Sequence, residues 1–297
     1  MSSNFSSSLE RAILETLAYS DVFDYPLTSD ELHRYLTYPA TKEEVSNFLN
    51  TSLLVSSNSN FYFLPNRDLL VGIRRERESI SLPAFNRALF YGRILGSFPF
   101  VRMVAMTGSL AVLNLSKDAD MDYMLVAQSG RLWLARAFAV TFGRIMRIFG
   151  DRICVNLLVT ESALEWQPQD LYSAREMCQM IPITGMDVYQ RLRTANPWVE
   201  TYLPNATSTP VNTPKVRSNR SWLRKLSEIP LRGKFGDALE KWAMDFQIKK
   251  ISTTYGNGQE AKFSVELCQG NFDNHHFWTD RSFQERLAFL EENVTHD

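Results

Sequence analysis

Four residues near the middle of the chain have the chemistry needed to bind a metal ion and phosphate. Gly108 and Ser109 follow an apolar run, ten residues separate them from Asp120, and Asp122 then enters a second apolar run. Alternate residues of a strand share a face, so both carboxylates should project together. They repel each other unless a cation lies between them, and Mg²⁺ is commonly held by one or two carboxylates plus substrate phosphate oxygens. Gly108 allows close backbone approach to a phosphate, which N–H groups and the Ser109 hydroxyl can bind.

The order of these features is an apolar strand, Gly-Ser, a ten-residue spacer and Asp-x-Asp on the next strand. In this order, residues 100–160 resemble the DNA polymerase beta-like nucleotidyltransferase superfamily. The resemblance implies an α+β core with a small mixed β-sheet flanked by helices. It also implies Mg²⁺ or Mn²⁺ as cofactor and an NTP, such as ATP, as substrate. The alternative is a turn capped by two surface aspartates.

The predicted strand at 153–159 is where this superfamily usually carries a third carboxylate. The matching residue here is Asn156, whose neutral amide can ligate a metal through its oxygen but cannot act as a base. Asp118, Asp151 and Glu161 are the acids that could substitute for it. The resemblance therefore predicts a metal site of Asp120 and Asp122, with Asn156 as a possible third ligand.

A helix is expected to start near residue 171. In related domains, helices after the sheet carry residues that contact the base and sugar of the nucleotide, which makes Tyr172, Ser173 and Arg175 nucleotide-binding candidates. The alternative is that these residues pack the start of the helix on the sheet.

The composition is that of an ordinary soluble globular protein, and 297 residues are enough for two or three domains. A net charge of −1 gives no argument for binding a polyanion over the whole surface. Three widely spaced cysteines fit neither a disulfide framework nor a metal site, which favours the cytoplasm. The polar start of the chain does not read as a secretory signal, and its most apolar segment, 132–150, carries three arginines, so no membrane association is expected.

Residues 1–66 are predicted to form a winged helix-turn-helix. Helices are expected at 9–19, at 28–36 after a Thr28 capping box and after a second box at Thr41, followed by a hairpin whose polar turn spans 56–60. Three basic against eight acidic side chains give this module a net charge of −5, so duplex DNA is an unlikely partner. Protein contact or packing on the rest of the chain is favoured. Residues 13–28 also resemble the opening of bacterial and archaeal proteins that join such a module to a nucleotidyltransferase domain.

The rest of the chain divides into a core at 67–204, a linker or long loop at 205–221 and a helical C-terminal region at 222–297. One or two helices, broken near Pro83, are expected at 67–97, where an arginine could face phosphates or solvent. Residues 215–250 carry ten basic and four acidic side chains. This segment could cradle a polyanionic acceptor such as RNA, but packing of Leu239, Trp242 and Phe246 on the core is slightly favoured. The adjacent histidines His275 and His276 should diverge in a strand without binding metal.

The function predicted from the sequence is transfer of a nucleoside monophosphate from an NTP to an acceptor hydroxyl, with Asp120 and Asp122 as the catalytic residues. The sequence does not identify the acceptor, for which a protein, an RNA and a small molecule all stay open. One alternative is a catalytically weak or inactive nucleotide-binding or protein-interaction regulator. The other is a DNA-binding regulator that uses the winged helix.

Overall fold

The computed structural model describes residues 7–210, 212–215, 222–255, 260–270 and 274–294. The helices are α1 (Ser8–Asp21), α2 (Ser29–Tyr35), α3 (Lys42–Thr51), α4 (Leu69–Ser97), α5 (Gly108–Ala111), α6 (Leu132–Ile148), α7 (Leu171–Gln179), α8 (Met186–Ala195), α9 (Val199–Tyr202), α10 (Trp222–Glu228), α11 (Gly233–Tyr255) and α12 (His275–Val294), with a 3-10 turn at Ile229–Leu231. The strands are β1 (Ser56–Asn58), β2 (Phe61–Phe63), β3 (Val101–Thr107), β4 (Met121–Ala127), β5 (Ile153–Thr160), β6 (Ile181–Thr184), β7 (Lys262–Phe263) and β8 (Leu267–Gln269).

A six-stranded sheet in the order β6-β3-β4-β5-β8-β7 forms the centre of the molecule. Strands β4 and β5 are parallel, and the other neighbours are antiparallel, so the sheet is mixed. The predicted α+β class with a mixed sheet is therefore confirmed. The C-terminal region, predicted to be helical, contains α10, α11 and α12, but it also supplies β7 and β8, which extend the sheet beyond β5.

The two faces of the sheet have separate apolar cores. Tyr123 and Leu125 of β4 pack with residues of α4, α6 and α11. Met124 and Val126 face the other way and pack with residues of α7 and α8. Because side chains alternate along a strand, Asp122 projects on the same face as Met124, towards α7.

The N-terminal module contains the three predicted helices and a hairpin. Both capping boxes are present, since the Thr28 and Thr41 side chains accept from the N–H groups of Glu31 and Glu44. The predicted long turn was wrong. Strand β1 occupies 56–58, leaving a two-residue turn of Ser59 and Asn60, both with positive φ, as type I′ hairpins require.

Helix α4 runs without a break through Pro83. Proline removes a backbone donor from a helix interior, but Ala84 and Ala88 are buried in the core, so tertiary packing maintains the helix. The expected break near Pro83 is therefore absent.

Helix α11 is rotated relative to the sequence prediction. Trp242 and Phe246 are exposed and stack on each other with ring centroids 5.5 Å apart, while Leu239 is partly buried. The face turned to α6 instead carries Glu240, which accepts from the N–H groups of Trp133 and Leu134 at 2.7 and 2.9 Å. The predicted packing of Trp242 and Phe246 was wrong because this carboxylate caps the start of α6 and fixes the rotation of α11.

The sequence predicted that His275 and His276 lie in a strand. This was wrong, because both residues lie at the start of α12. Helix α12 returns to the N-terminal module, where Phe283 and Leu290 join the module's apolar core. In the predicted linker, residues 205–210 and 212–215 contain neither helix nor strand, and residues 211 and 216–221 lie outside the described residues. All three cysteines are free. Within the described ranges, no helix combines the length and the apolar character needed to cross a membrane.

Candidate functional site

The antiparallel pairing of β3 and β4 brings the two halves of the sequence motif together. Thr107 lies opposite Asp122 in the ladder, so Gly108 follows directly beside that carboxylate. Gly108 has φ +64°, and a Cβ at this position would lie 3.2 Å from the Asp122 Cγ and collide with a carboxylate oxygen. Both the backbone conformation and the space around it therefore require glycine.

The loop that follows Gly108 is closed by a backbone hydrogen bond. Ser109 lies in the one-turn helix α5, and its carbonyl accepts from the Asn114 N–H at 2.8 Å. The neighbouring Thr107 is buried, and its hydroxyl has no hydrogen-bond partner within the described part of the chain. A buried hydroxyl without a partner is costly, so Thr107 is a polar group at this site whose bonding capacity is left for a ligand.

Asp122 lies in an environment that opposes its negative charge. Burial, the charge of Asp120 and the charge of Glu176 raise the pKa of Asp122 to about 7, while a hydrogen bond from the Cys154 thiol acts in the opposite direction. Adding a cation here would favour the ionised form of Asp122. The electrostatics of these residues therefore suit a bound metal ion.

Glu176 of α7 is the acid that the sequence reasoning did not identify. Burial raises the pKa of its carboxyl to about 7, and its charge acts on Asp122. Its position on a helix far along the chain gave no pattern that would have linked it to the Asp pair.

The acids considered earlier as substitutes have other partners or positions. Asp151 accepts from the Tyr91 hydroxyl at 2.6 Å and pairs with Arg87 at 3.3 Å. Glu161 pairs with Arg191 at 2.6 Å, and Asp118 is exposed. Glu176 is thus the acid whose charge, with that of Asp120, acts on Asp122.

Strand β5 places Cys154 directly opposite Asp122. The register with β4 then shifts, so Val155 pairs with Tyr123 and Leu157 with Met124, which leaves Asn156 as the extra residue of a bulge. The Asn156 Oδ1 is buried and has no hydrogen-bond partner in the described residues. Asn156 therefore lies two residues after Cys154, which is the residue of β5 that pairs with Asp122.

The three candidate nucleotide-binding residues on α7 have different surroundings. The Tyr172 pKa is raised mainly by burial and then by the charge of Glu176, with a contribution from Asp122, so this side chain belongs to the carboxylate site. Ser173 is buried, and its N–H donates to the Asp170 side chain that caps α7. Arg175 is buried against the N-terminal module, with its guanidinium carbon 4.6 Å from the Tyr19 ring centroid. Of the three, Tyr172 is the one whose pKa the charges of Glu176 and Asp122 raise.

A histidine also borders the site. The His276 ring stacks on Tyr172 with centroids 4.8 Å apart, and its Nε2 lies 2.9 Å from an Asp170 carboxylate oxygen. Helix α12 thus covers the start of α7. The sequence offered no signal for this contact, because more than one hundred residues separate His276 from Asp170.

The described residues contain no group of three or more His, Cys, Asp or Glu side chains arranged to hold a metal ion by themselves. Asp120 and Asp122 fit the other arrangement, in which one or two carboxylates bind Mg²⁺ and substrate oxygens complete the coordination. The donor set is all oxygen, which suits Mg²⁺ or Mn²⁺.

Two sets of basic residues do not reach the carboxylates. Helix α11 packs on the Tyr123 face of the sheet, opposite to the face that carries Asp122. Arg67, which precedes α4, and the α4 residues Arg74, Arg77 and Arg87 each pair with a carboxylate of the chain itself. Neither set therefore lies where it would bind a nucleotide held by Asp122.

No protein-family model matches the chain, and no match was found among curated proteins or solved structures. The functional argument consequently depends on the residues themselves.

Proposed function

We propose that the chain is a Mg²⁺-dependent nucleotidyltransferase of the DNA polymerase beta-like type. It transfers a nucleoside monophosphate from an NTP to an acceptor hydroxyl and releases pyrophosphate. The observation that carries the proposal is the contact of Asp122 with the Gly108 backbone, in a site where the charges of Asp120 and Glu176 act on the same carboxyl.

In this proposal, the residues at the start of β4 and those at the end of β3 bind different groups. Asp120 and Asp122 would hold the metal, which would supply neutralisation of the phosphate charge and of the leaving oxygen. The backbone at Gly108 and the hydroxyls of Thr107 and Ser109 donate hydrogen bonds to the β- and γ-phosphates.

Glu176 supplies the base that Asn156 cannot provide. The acceptor oxygen forms a bond to the α-phosphorus, the bond from that phosphorus to pyrophosphate breaks, and the hydroxyl proton passes to Glu176. A carboxyl with a pKa raised to about 7 is suited to this transfer near neutral pH. Tyr172, which lies beside Glu176, is the candidate contact for the sugar or base.

The N-terminal three-helix and hairpin module is, in this proposal, a winged helix that does not bind DNA. All three of its basic side chains have partners: Arg11 pairs with Glu15, Lys42 pairs with Asp30, and Arg34 donates to the Cys178 carbonyl. Non-specific DNA affinity comes from cationic groups that replace counterions, and in this module eight acidic side chains outnumber the three basic ones. Random duplex DNA should give no salt-sensitive binding to the full chain. Micromolar binding that weakens steeply with salt would contradict this.

A nucleotide-binding regulator without turnover is the second candidate. It is favoured by the neutral Asn156 on β5, where the resemblance leads one to expect an acid. The two candidates share metal-dependent NTP binding and differ in pyrophosphate release.

The deciding experiment incubates the full chain with each labelled NTP, Mg²⁺ and cell extract, and measures pyrophosphate release and labelled product. Asp122→Asn is the test variant, and Asp118→Asn is the matched control, because Asp118 is exposed in the same connecting segment. The enzyme proposal requires turnover by the parent and by Asp118→Asn but not by Asp122→Asn. Mg²⁺-dependent NTP binding without pyrophosphate release would select the regulator, and absence of both would refute the two candidates together.

A further inference from the structure

The N-terminal module contacts the loop that follows Ser109. The Tyr25 hydroxyl lies 2.7 Å from the Val112 carbonyl oxygen and 2.8 Å from a Glu31 carboxylate oxygen. Its single proton can be donated to one of them at a time. The Tyr25 ring lies under Arg74, whose guanidinium carbon is 3.8 Å from the ring centroid and which also pairs with Glu31 at 2.9 Å. A buried network in the module therefore ends on this loop.

A second contact holds the same loop at Asn114. The Asn114 Nδ2 donates to the Phe23 carbonyl at 3.2 Å. Arg77 donates both to that carbonyl, at 2.8 Å, and to the Asn114 Oδ1, at 3.2 Å. Because the Asn114 N–H also closes the loop onto Ser109, this second contact connects the module to the Ser109 end of the loop.

The module holds α7 as well. The Arg175 guanidinium lies between the rings of Tyr19 and Tyr35, with its carbon 4.6 and 4.7 Å from their centroids. Arg175 is 2% exposed, and its Nε and one terminal nitrogen have no hydrogen-bond partner in the described residues, so the rings are its principal contacts. Arg34 of the module donates to the Cys178 carbonyl near the end of the same helix at 3.0 Å.

The two held segments enclose the carboxylate site. The 108–114 segment contacts Asp122 through Gly108, and α7 carries Glu176 immediately after Arg175. Displacing either segment would change the distance between Asp122, the phosphate-binding backbone and Glu176. The module thus contacts two sides of the site, and the sheet forms the third.

We propose that the N-terminal module, residues 7–66, is a positioning element of the carboxylate site. Tyr25 fixes the loop after Ser109, and the Tyr19–Arg175–Tyr35 stack fixes α7. The consequence for metal binding rests on the proposed function, whereas the positioning itself does not. The module's acidic charge and engaged basic side chains agree with an internal role of this kind.

The first test is hydrogen–deuterium exchange on the full chain, which needs no metal and no activity. Tyr25→Phe keeps the ring under Arg74 and removes only the hydroxyl. Exchange in 109–114 should rise about five-fold, the weight of one net hydrogen bond. Arg175→Met should raise exchange in α7. Tyr62→Phe is the matched control, because this hydroxyl lies in the same module and bonds to neither segment, and it should change neither.

The second measurement is Mn²⁺ affinity by electron paramagnetic resonance. Tyr25→Phe and Arg175→Met should weaken binding about ten-fold, the low end of the range for losing a contact that orients a metal ligand. Tyr62→Phe should bind as the parent does. If Arg175→Met fails to fold, Tyr25→Phe decides alone.

Unchanged exchange in both segments overturns the positioning role, and so does raised exchange with unchanged Mn²⁺ affinity. A rise of equal size in Tyr62→Phe also overturns it. Absence of Mn²⁺ binding by the parent would count against the proposed function, and the exchange data would still decide whether the module positions the two segments.

Discussion

The two faces of β4 differ in whether their polar groups have hydrogen-bond partners and whether their charges are compensated. On one face, Tyr123 and Leu125 are fully buried, and the Tyr123 hydroxyl donates to the Ala88 carbonyl at 2.8 Å. On the other face, Asp122 meets like charges, and the hydroxyl of Thr107 opposite it has no partner in the described residues. The first arrangement stabilises the fold, and the second lowers stability in a way that a bound ligand would relieve. In the proposed function, neighbouring residues of one strand therefore serve folding and binding separately.

The largest expected effect is on turnover, from the site face. Asp120→Ala or Asp122→Ala should reduce Mg²⁺-dependent NTP turnover on the order of 10³-fold or more, because the metal contributes several kcal/mol to the transition state. The melting temperature in EDTA should not fall, since one repelling carboxylate is removed. Steady-state pyrophosphate release and a thermal melt check both parts. Full activity in either variant would refute the site.

A substitution on the face of β4 that carries Tyr123 and Leu125 should change the stability of the fold alone. Leu125→Ala removes a fully buried side chain and should lower the free energy of unfolding by about 2–5 kcal/mol. Mn²⁺ affinity of the folded fraction should be unchanged. Urea unfolding measures the free energy of unfolding, and electron paramagnetic resonance measures the Mn²⁺ affinity. Leu82→Ala is the control, because Leu82 is exposed. Loss of Mn²⁺ affinity in Leu125→Ala would mean that the faces are not independent.

A third prediction concerns the place where the backbone touches the carboxylate. Gly108→Ala should cost about 1–3 kcal/mol through its positive φ and should also weaken Mn²⁺ binding by displacing Asp122. Gly130→Ala is matched to it, because Gly130 has φ +74° and no described atom within 4 Å of the added Cβ. Both variants should lose stability, and only Gly108→Ala should lose metal affinity. Equal Mn²⁺ affinity of the two would exclude the contact as a requirement.

A smaller effect distinguishes two positions on β5. Cys154→Asp places a charge opposite Asp122, whereas Asn156→Asp places it at the bulge. Like charges in one site raise each other's pKa, so each variant should melt lower in EDTA and gain more from Mg²⁺ and NTP than the parent, Cys154→Asp more strongly. Thermal melts with and without metal check this. A response of Asn156→Asp identical to that of the parent would remove Asn156 from the metal site.

The last expected effect is a pH dependence. The pKa of Asp122 is raised from 3.8 to about 7, so between about pH 4 and pH 7 the folded state keeps a proton that the unfolded state releases. The stability of the metal-free protein should therefore fall as pH rises through this window. Asp122→Asn should show a shallower fall, with Glu176 accounting for the remainder. Urea unfolding in EDTA at pH 4.5 and 7.5 measures the slopes, and parallel slopes would contradict the assigned cause.

Local signals in the sequence were sufficient for much of the secondary structure. The boxes at Thr28 and Thr41 predicted two helix starts because capping depends on residues three apart. The approach of Gly108 to Asp122 was also predictable, since a strand, a turn and a returning strand place their ends together. The hairpin was misread because Ser59 and Asn60 adopt positive φ without the glycine that usually marks such a turn.

What the sequence did not predict comes from contacts between distant segments. Glu176 and His276 reach the site through the packing of α7 and α12, and nothing near Asp122 in the sequence points to them. The rotation of α11 followed the buried polar contacts of Glu240 and Gln247 with α6, although apolar spacing favoured Trp242 and Phe246 as the inner face. The bulge at Asn156 shifted the register of β5, which pattern matching treats as uniform.

The thiol opposite Asp122 has a consequence for the chemical durability of the site. Burial and the neighbouring charges of Asp122 and Asp120 raise the pKa of Cys154 to about 12, so it stays a protonated donor to Asp122. Oxidants and alkylating reagents attack the thiolate form of cysteine. Cys154 is therefore inert while the carboxylates remain ionised and the 108–114 segment stays closed. Cys154 is therefore protected from redox damage first by burial and then by the neighbouring negative charges, and its labelling rate records how often the site opens.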